Sequence, residues 1–557
     1  MAFVGRHKVY ALFWTWSHGP FVCMSDIQTA QGSKSCGALQ RCRLNIYPRS
    51  VPLSTTPGAR ATRSDQGYMD VLRPNDWVFV FVDPFDGDAP EPLFMGFIDD
   101  IRFRYELPIT GAFGATISVS CSGWEKALQN TMVLSNQWLS TEINFANLID
   151  IATRITDGGS NQIPQIGNAI ASVVQTFLEA ESSEAFLQRR ATSFRPRNAM
   201  AEIEYEELTG VAIDPAATQL NAAGLTPINA IMGQFELPQT RTPLWRFIKM
   251  KFEDLPDRTF TVPRAMVSML GMPLSRFIDE WSNPTMNALL YDVRRLSNDG
   301  LSHLEIGRHR LNRSVEGGYL ASAISEVVGA ASSVSSAVGQ LFEDIAPHII
   351  LMRRPLFQEE LLDLEGPTFS SKDLTSLALG ISDADHYNLS WLENTSLDPA
   401  QHKAASGLTG FDFDRPRALD MIRRHGLRIY QDQTNAWPDR ASESEPPTIP
   451  VPSPHLFREW NSRLQISGLD QVELLTGDCS IPKYVRGLFL GGKFQLDIAL
   501  HPGVFAEGTS RVFYVDGMDW NYTAATGQFT TGIALSRGYE VGANDVTRVV
   551  RPEAAGG

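Results

Sequence analysis

Gly111-Ala-Phe113-Gly-Ala-Thr-Ile117-Ser-Val119-Ser120 and Gly527-Gln-Phe529-Thr-Thr-Gly-Ile533-Ala-Leu535-Ser536 share four identities at equal spacing. Val119 and Leu535 add a conservative exchange. In each stretch apolar residues fall at every second position, the period of a strand with one face buried. Upstream of the first copy, Trp77, Phe79 and Phe81 alternate with Val78, Val80 and Val82, which predicts a strand covered on both faces. An Asp/Gly/Pro-rich loop follows. Then Ile101, Phe103 and Tyr105 alternate with Asp100, Arg102 and Arg104. Upstream of the second copy, Phe494, Leu496, Ile498 and Leu500 alternate with polar residues, and a strand at Val512 to Val515 follows a Pro/Gly loop. The order strand, loop, strand, loop, strand thus occurs twice, which predicts an internal duplication of one β-module, with Phe113 equivalent to Phe529 and Ile117 to Ile533. The predicted class is α+β to mainly β.

Between the copies the chain changes character. Thr141 can cap a helix carrying Leu148, Ile149, Ala152 and Ile155, ended by Gly158-Gly159. Helical spacing continues over 165–190. From Leu320 to Ile345, apolar residues recur at steps of three and four, and the many small residues suit a core helix, a flexible insertion or an oligomer contact. Six prolines between Asp432 and His455 favour an extended arm.

Composition narrows the function. The chain has 557 residues, 43% of them hydrophobic, enough for several domains of about 150 residues. A net charge of −15 argues against a surface that seeks phosphates. No apolar run reaches the roughly 18 residues of a membrane helix. Val9 to Trp16 is short and aromatic and lacks a small-residue cleavage site, so no signal peptide is expected. Cys23, Cys36, Cys42, Cys121 and Cys479 are an odd, dilute set without a CxxC spacing, which favours reduced structural thiols.

No Walker loop, HExxH, GxSxG or GxGxxG motif occurs. Asp83, Asp86 and Asp88 lack the spacing and terminal Glu of a calcium loop. His303 and His309, six apart, suit neither a strand nor a helix turn as a ligand pair. Glu202, Glu204, Glu206 and Glu207 offer paired carboxylates for glycoside hydrolysis but read equally as a solvated face. Ser382-Asp383-Ala384-Asp385-His386-Tyr387-Asn388 invites acid–base or metal chemistry, but fits an Asx-rich turn better. No cofactor or metal is expected.

Four segments then recur in the order of a known family: Trp281-Ser-Asn283-Pro284-Thr-Met-Asn287-Ala-Leu-Leu-Tyr-Asp292-Val-Arg294, Ile349-Ile-Leu-Met-Arg353-Arg-Pro355-Leu-Phe357, Ser382 to Asn388, and His425-Gly-Leu-Arg428. With Leu93-Phe-Met-Gly-Phe-Ile-Asp99 in the first module, they resemble the central baseplate hub of contractile-tailed bacteriophages, related to the hub part of type VI secretion spike proteins and to late-control tail proteins. The resemblance runs from about residue 36 to 541, with His425 in place of the family's Tyr. It implies two tube-like β-barrel modules with intervening α/β and helical insertions. The expected layout is an N-terminal arm (1–35), a first barrel (36–140), a helical and mixed insertion region (141–345), an α+β region (346–478) with the Pro-rich arm (432–455), a second barrel using earlier strands (479–541), and a tail (542–557).

The resemblance further implies a homotrimer whose ring joins a sixfold tail tube to a threefold central spike. Tape measure and baseplate wedge proteins would be further partners, and genome DNA would pass without specific binding or membrane insertion. Location would be the virion baseplate, assembled in the host bacterial cytoplasm. Some relatives fuse a lysozyme or spike domain after the hub, and the short tail here leads us to expect none. The motif residues Trp281, Asn283, Pro284, Asn287, Asp292, Arg294, Arg353, Pro355, Phe357, Asp383, Asp385 and Asn388 are assigned to assembly rather than catalysis. Charge-assisted hydrogen bonds are expected at Asp292, Arg294 and Arg353. The rival readings are a tail-associated peptidoglycan-degrading enzyme using Glu202–Glu207 or the Asp383 segment, and a peripheral baseplate component.

Overall fold

A computed structural model describes residues 7–53, 63–84, 90–106, 114–130, 132–133, 249–252, 258–261, 272–282, 287–295, 345–382, 386–394, 415–434, 436–439, 454–470, 474–497 and 510–541. The fold is mainly β. The N-terminal region forms β1 (Lys8–Thr15), β2 (Gly19–Cys23), β3 (Ile27–Ser35), β4 (Arg41–Ile46), β5 (Ser50–Pro52), β6 (Arg63–Gly67), β7 (Trp77–Asp83), β8 (Glu91–Glu106) and β9 (Gly114–Gly123). The middle supplies β10 (Met132–Val133), β11 (Lys249–Phe252), β12 (Arg258–Thr261), β13 (Met272–Pro273), β14 (Asn287–Arg295) and β15 (Ile345–Arg353). Then come β16 (Thr368–Ser370), β17 (Ser376–Ile381), β18 (Leu389–Asn394), β19 (Ile429–Thr434) and β20 (Ala436–Asp439). Last are β21 (Leu475–Ile481), β22 (Lys493–Asp497), β23 (Ser510–Thr523) and β24 (Gln528–Val541).

Thirteen strands join one sheet in the order β17-β21-β24-β23-β3-β4-β9-β8-β7-β1-β2, with β22 branching from β23 to β16. No described pairing closes it into a barrel. Within it one order occurs twice. β3-β4-β9-β8-β7 and β17-β21-β24-β23-β22 are each antiparallel throughout, and each uses its strands in the same sequence along the chain.

Each unit has its own core, as expected when a long sheet curls. One cluster gathers Val78, Val80, Ile98, Ile117 and Val119 from the first unit. The other gathers Phe494, Leu496, Phe513, Val515 and Ile533 from the second. The long hairpin β23–β24 serves both. Phe513 and Val515 lie in the second core, whereas Trp520, Tyr522 and Phe529 reach the first. β23 forks accordingly: Ser510–Tyr514 pair with β22, and Gly517–Thr523 pair with β3.

Several expectations change. Residues 1–35 are not a detached arm, because residues 8–35 form β1, β2 and β3 of the main sheet. All of β1 after Lys8 is buried, seven apolar or hydroxyl side chains that water would disfavour outside a core. The repeat also has a different register. β8 bulges after Ile98, which is opposite Cys121 and bonded to the left-handed Asn75. β23 bulges after Val515, which is opposite Leu535 and bonded to the left-handed Gly491. Val119 therefore matches Ile533, and Ile117 matches Thr531. A two-residue slip keeps every side chain on its face, which is why the sequences align in the wrong register. Phe113 lies outside the described residues, as do nearly all of the expected helices between 141 and 344 and the arm residues 440–453. Among the described residues no helix is long and apolar enough to cross a membrane.

Candidate functional site

The helix Leu274–Trp281 ends at Ser282, whose hydroxyl donates to Asp279 O at 2.6 Å. Asn287, the first residue of β14, donates from Nδ2 to Ser282 O at 2.8 Å and ties the strand to the helix end. Along β14, Ala288, Leu290, Asp292 and Arg294 share one face. Ala288 and Leu290 pack against Ile350, Met352 and Leu490. Asp292 then meets Lys34 of β3 at 2.8 Å and Arg294 at 2.9 Å. Burial raises the Asp292 carboxyl, but the two cations outweigh it and hold the group well below the usual carboxylate range. The Arg294 guanidinium also lies 4.7 Å from the centre of the Phe489 ring. This cluster sits where both repeats meet: Gly37 N–H donates to Leu289 O, just past β3, and Leu490 precedes β22.

A second cluster follows β15. Arg353 pairs with Glu360 at 3.4 Å, and Arg463 pairs with the same carboxylate while lying over the Phe357 ring. Glu360 also accepts from the N–H groups of Leu356 (2.8 Å) and Phe357 (3.3 Å). Pro355 O accepts from the buried Arg537, and Leu356 O accepts from the Tyr539 hydroxyl, so the loop is pinned to β24.

Asn388 organises a third cluster. Its Nδ2 donates to Gly426 O at 2.7 Å, its Oδ1 accepts from Arg428 N–H at 3.0 Å, and its backbone oxygen accepts from Gln465 Nε2 at 2.7 Å. His386 and Asn388 are therefore in direct contact with the turn His425–Arg428, from two short segments that each read weakly. His386 Nδ1 lies 2.9 Å from Gly468 O, and its ring meets His425 edge-on.

The structure thus places Asn287, Asp292, Arg294, Arg353, Pro355, Phe357 and Asn388 in intrachain contacts, of which those of Asp292, Arg294 and Pro355 reach β3, the turn before β22, and β24 respectively. Trp281 closes its helix. Asn283, Pro284, Asp383 and Asp385 lie outside the described residues, as do Glu202, Glu204, Glu206, Glu207, His303 and His309. Sequence reading missed Lys34, Glu360, Arg463, Gln465 and Arg537. Only Glu360 had a local signal, three residues past Phe357 in capping-box position. Among the described residues, no three His, Cys, Asp or Glu side chains are grouped to hold a metal. All five cysteines are free, and burial pushes the thiols of Cys23, Cys36 and Cys479 up to about 12. An open groove of about 710 Å³ crosses the joint between repeats, lined by Arg41, Arg43, Asp99, Asp519 and Asn521 among others. Its charges are mixed, and within it the Ser122 hydroxyl donates to the Asp99 carboxylate.

Fold and contacts define a mainly β protein with a five-strand order used twice, each time over its own hydrophobic core. No family model and no curated protein sequence matches the chain. Among solved structures it is similar to the tail protein from Neisseria meningitidis MC58, at 8% identity, covering 95% of this chain and 96% of that one, with a TM-score of 0.37. It is also similar to the 43 kDa tail protein of prophage MuSo2 from Shewanella oneidensis, at 8% identity, 95% and 98% coverage and a TM-score of 0.40. A third match is the Francisella PdpA–VgrG complex in its lidded form, at 8% identity and a TM-score of 0.36; it covers 96% of this chain and 53% of that one.

Proposed function

We propose that this chain is the baseplate hub of a contractile phage tail. Three copies form a ring, and the two repeats of each copy supply six similar units around a central channel. One face of the ring meets a sixfold tail tube and the other a threefold spike, so a single chain satisfies both symmetries. The observation that carries this reading is the five-strand order used twice, each time over its own hydrophobic core. The role is structural, without turnover. Its partners are further copies of itself, the tail tube, the central spike, and the tape measure and wedge proteins, in the baseplate of a virion assembled in host cytoplasm. Each chain brings a charge of −15, and a channel wall that shares this excess lets DNA phosphates pass without adhering.

Electron-microscopy class averages and mass photometry of the purified protein test the proposal. The expected particle is a threefold ring with a central pore and the mass of three 61.7 kDa chains. A protein that stays monomeric even with tube and spike proteins present overturns it. So does clearing of a purified cell-wall suspension by the protein alone, which points to the hydrolase reading instead.

A further inference from the structure

Arg537 is unusual in two respects. It sits on β24 in the left-handed conformation, at φ 56°, which a side chain of its size seldom adopts. It is also a cation only 6% exposed, and buried charges are ordinarily paired. The backbone explains where it points. The β23–β24 register shifts between Val512–Tyr539 and Tyr514–Ser536, so Arg537 and Gly538 together stand opposite Phe513. A shift occurs against β21 as well, between Leu475–Gly538 and Gly477–Leu535. Gly538 fills the bulge tightly, since a Cβ there would run into the Phe513 ring and Leu475. A bulge of this kind re-aims a side chain. Here it delivers the Arg537 guanidinium to the loop after β15, where Nη1 donates to Pro355 O.

Arg354, half-buried, is the neighbour of Pro355 in that loop. Burial, and then the Arg354 charge, push the Arg537 guanidinium below its usual range. Tyr387 and Tyr514 lie within electrostatic reach of both arginines, and Tyr539 within reach of Arg537. The acids of this region do not neutralise the pair. Glu360 is held by Arg353 and Arg463. Asp516 acts on Arg537 through space without forming an ion pair with it, and Asp470 acts on Tyr539. Among the described residues Arg537 donates only to Pro355 O, and Arg354 forms no hydrogen bond or ion pair.

We propose that Arg354 and Arg537 form a binding site for a compact oxyanion of the phosphate class, entered from the half-buried Arg354 side. The two guanidiniums come from different elements, and each offers a planar fork of N–H donors that matches a pair of oxygens. A tetrahedral oxyanion has oxygens for both forks, and its charge supplies the counter-ion that the chain withholds. A carboxylate has two oxygens in one plane, which suit one fork. The backbone at Arg537 fits the same account, because left-handed non-glycine residues collect at ligand clamps and active sites. The site lies within one chain and does not depend on the hub reading.

Titration of the full-length protein with sodium phosphate at pH 7, against sodium chloride at equal ionic strength, tests the site by calorimetry and by melting temperature. Saturable binding of one phosphate per chain is expected, with a matching rise in melting temperature. Arg354→Met should melt like the parent in chloride and bind phosphate roughly tenfold more weakly or worse. Arg354→Lys keeps the charge and loses the fork, so its affinity should fall between the two. Should Arg354→Met fail to fold, Arg354→Lys carries the comparison, and parent-like phosphate affinity in it overturns the proposal. So does the absence of saturable phosphate binding in the parent, undiminished binding by a folded Arg354→Met, or acetate binding as tightly as phosphate.

Discussion

Replacing Asp292 by Asn removes one charge and keeps the shape, so its effect isolates the ion cluster at the meeting of the repeats. Asp292 is 2% exposed, with Lys34 Nζ at 2.8 Å and Arg294 Nε at 2.9 Å. Each contact contributes on the order of 6 kcal/mol of attraction at an effective dielectric near 20. The cost of desolvating the ions offsets most of that. What remains decisive is that the neutral amide of D292N would leave two cations, one of them buried, without a counter-charge, which costs about 3–5 kcal/mol. The carboxyl is depressed in the folded state, so its stabilisation is complete above the unfolded pKa near 3.8 and fades as pH falls below it. Guanidinium unfolding of D292N at pH 7 should show that loss, and D292N/K34M should recover part of it. The loss should shrink when both proteins are compared near pH 3. A D292N midpoint within 0.5 kcal/mol of the parent at pH 7 (on the order of noise for such fits) refutes the reasoning.

Glu125 has the opposite pH behaviour: burial pushes its carboxyl up to about 8, so its folded state favours the proton, and stability should fall between about pH 4.5 and 8. E125Q, which keeps an acceptor for Gln40 N–H, should flatten the melting temperature across that window and exceed the parent at pH 8; parallel curves count against it. Ile117→Ala and Ile533→Ala should each cost about 2–5 kcal/mol in urea unfolding, since the side chains are 3% and 1% exposed in separate cores, and neutral results at both would contradict the two-core description. Asn388→Ala removes the part-buried hydrogen bonds to Gly426 O and Arg428 N–H, at about 0.5–1.5 kcal/mol each. Hydrogen exchange should rise at Gly426–Ile429, and unchanged protection there would mean that Asn388 does not hold the turn.

How legible the fold was depended on range. β7 could be read from Trp77 to Val82 because a strand covered on both faces is apolar at every position. β1 carries the same signature from Val9 to Trp14, yet near a chain start an apolar run first raises the question of a leader, and β7, one of its two partner strands, lies some seventy residues on. The repeat was visible as a pattern of strands and loops. Its register was not, because the landmarks that fix it are a bulge and two left-handed residues, and bulges leave no period in the sequence. The ion clusters were hidden for a similar reason. Lys34 and Asp292 are 258 positions apart, and nothing local in either stretch marks the partner.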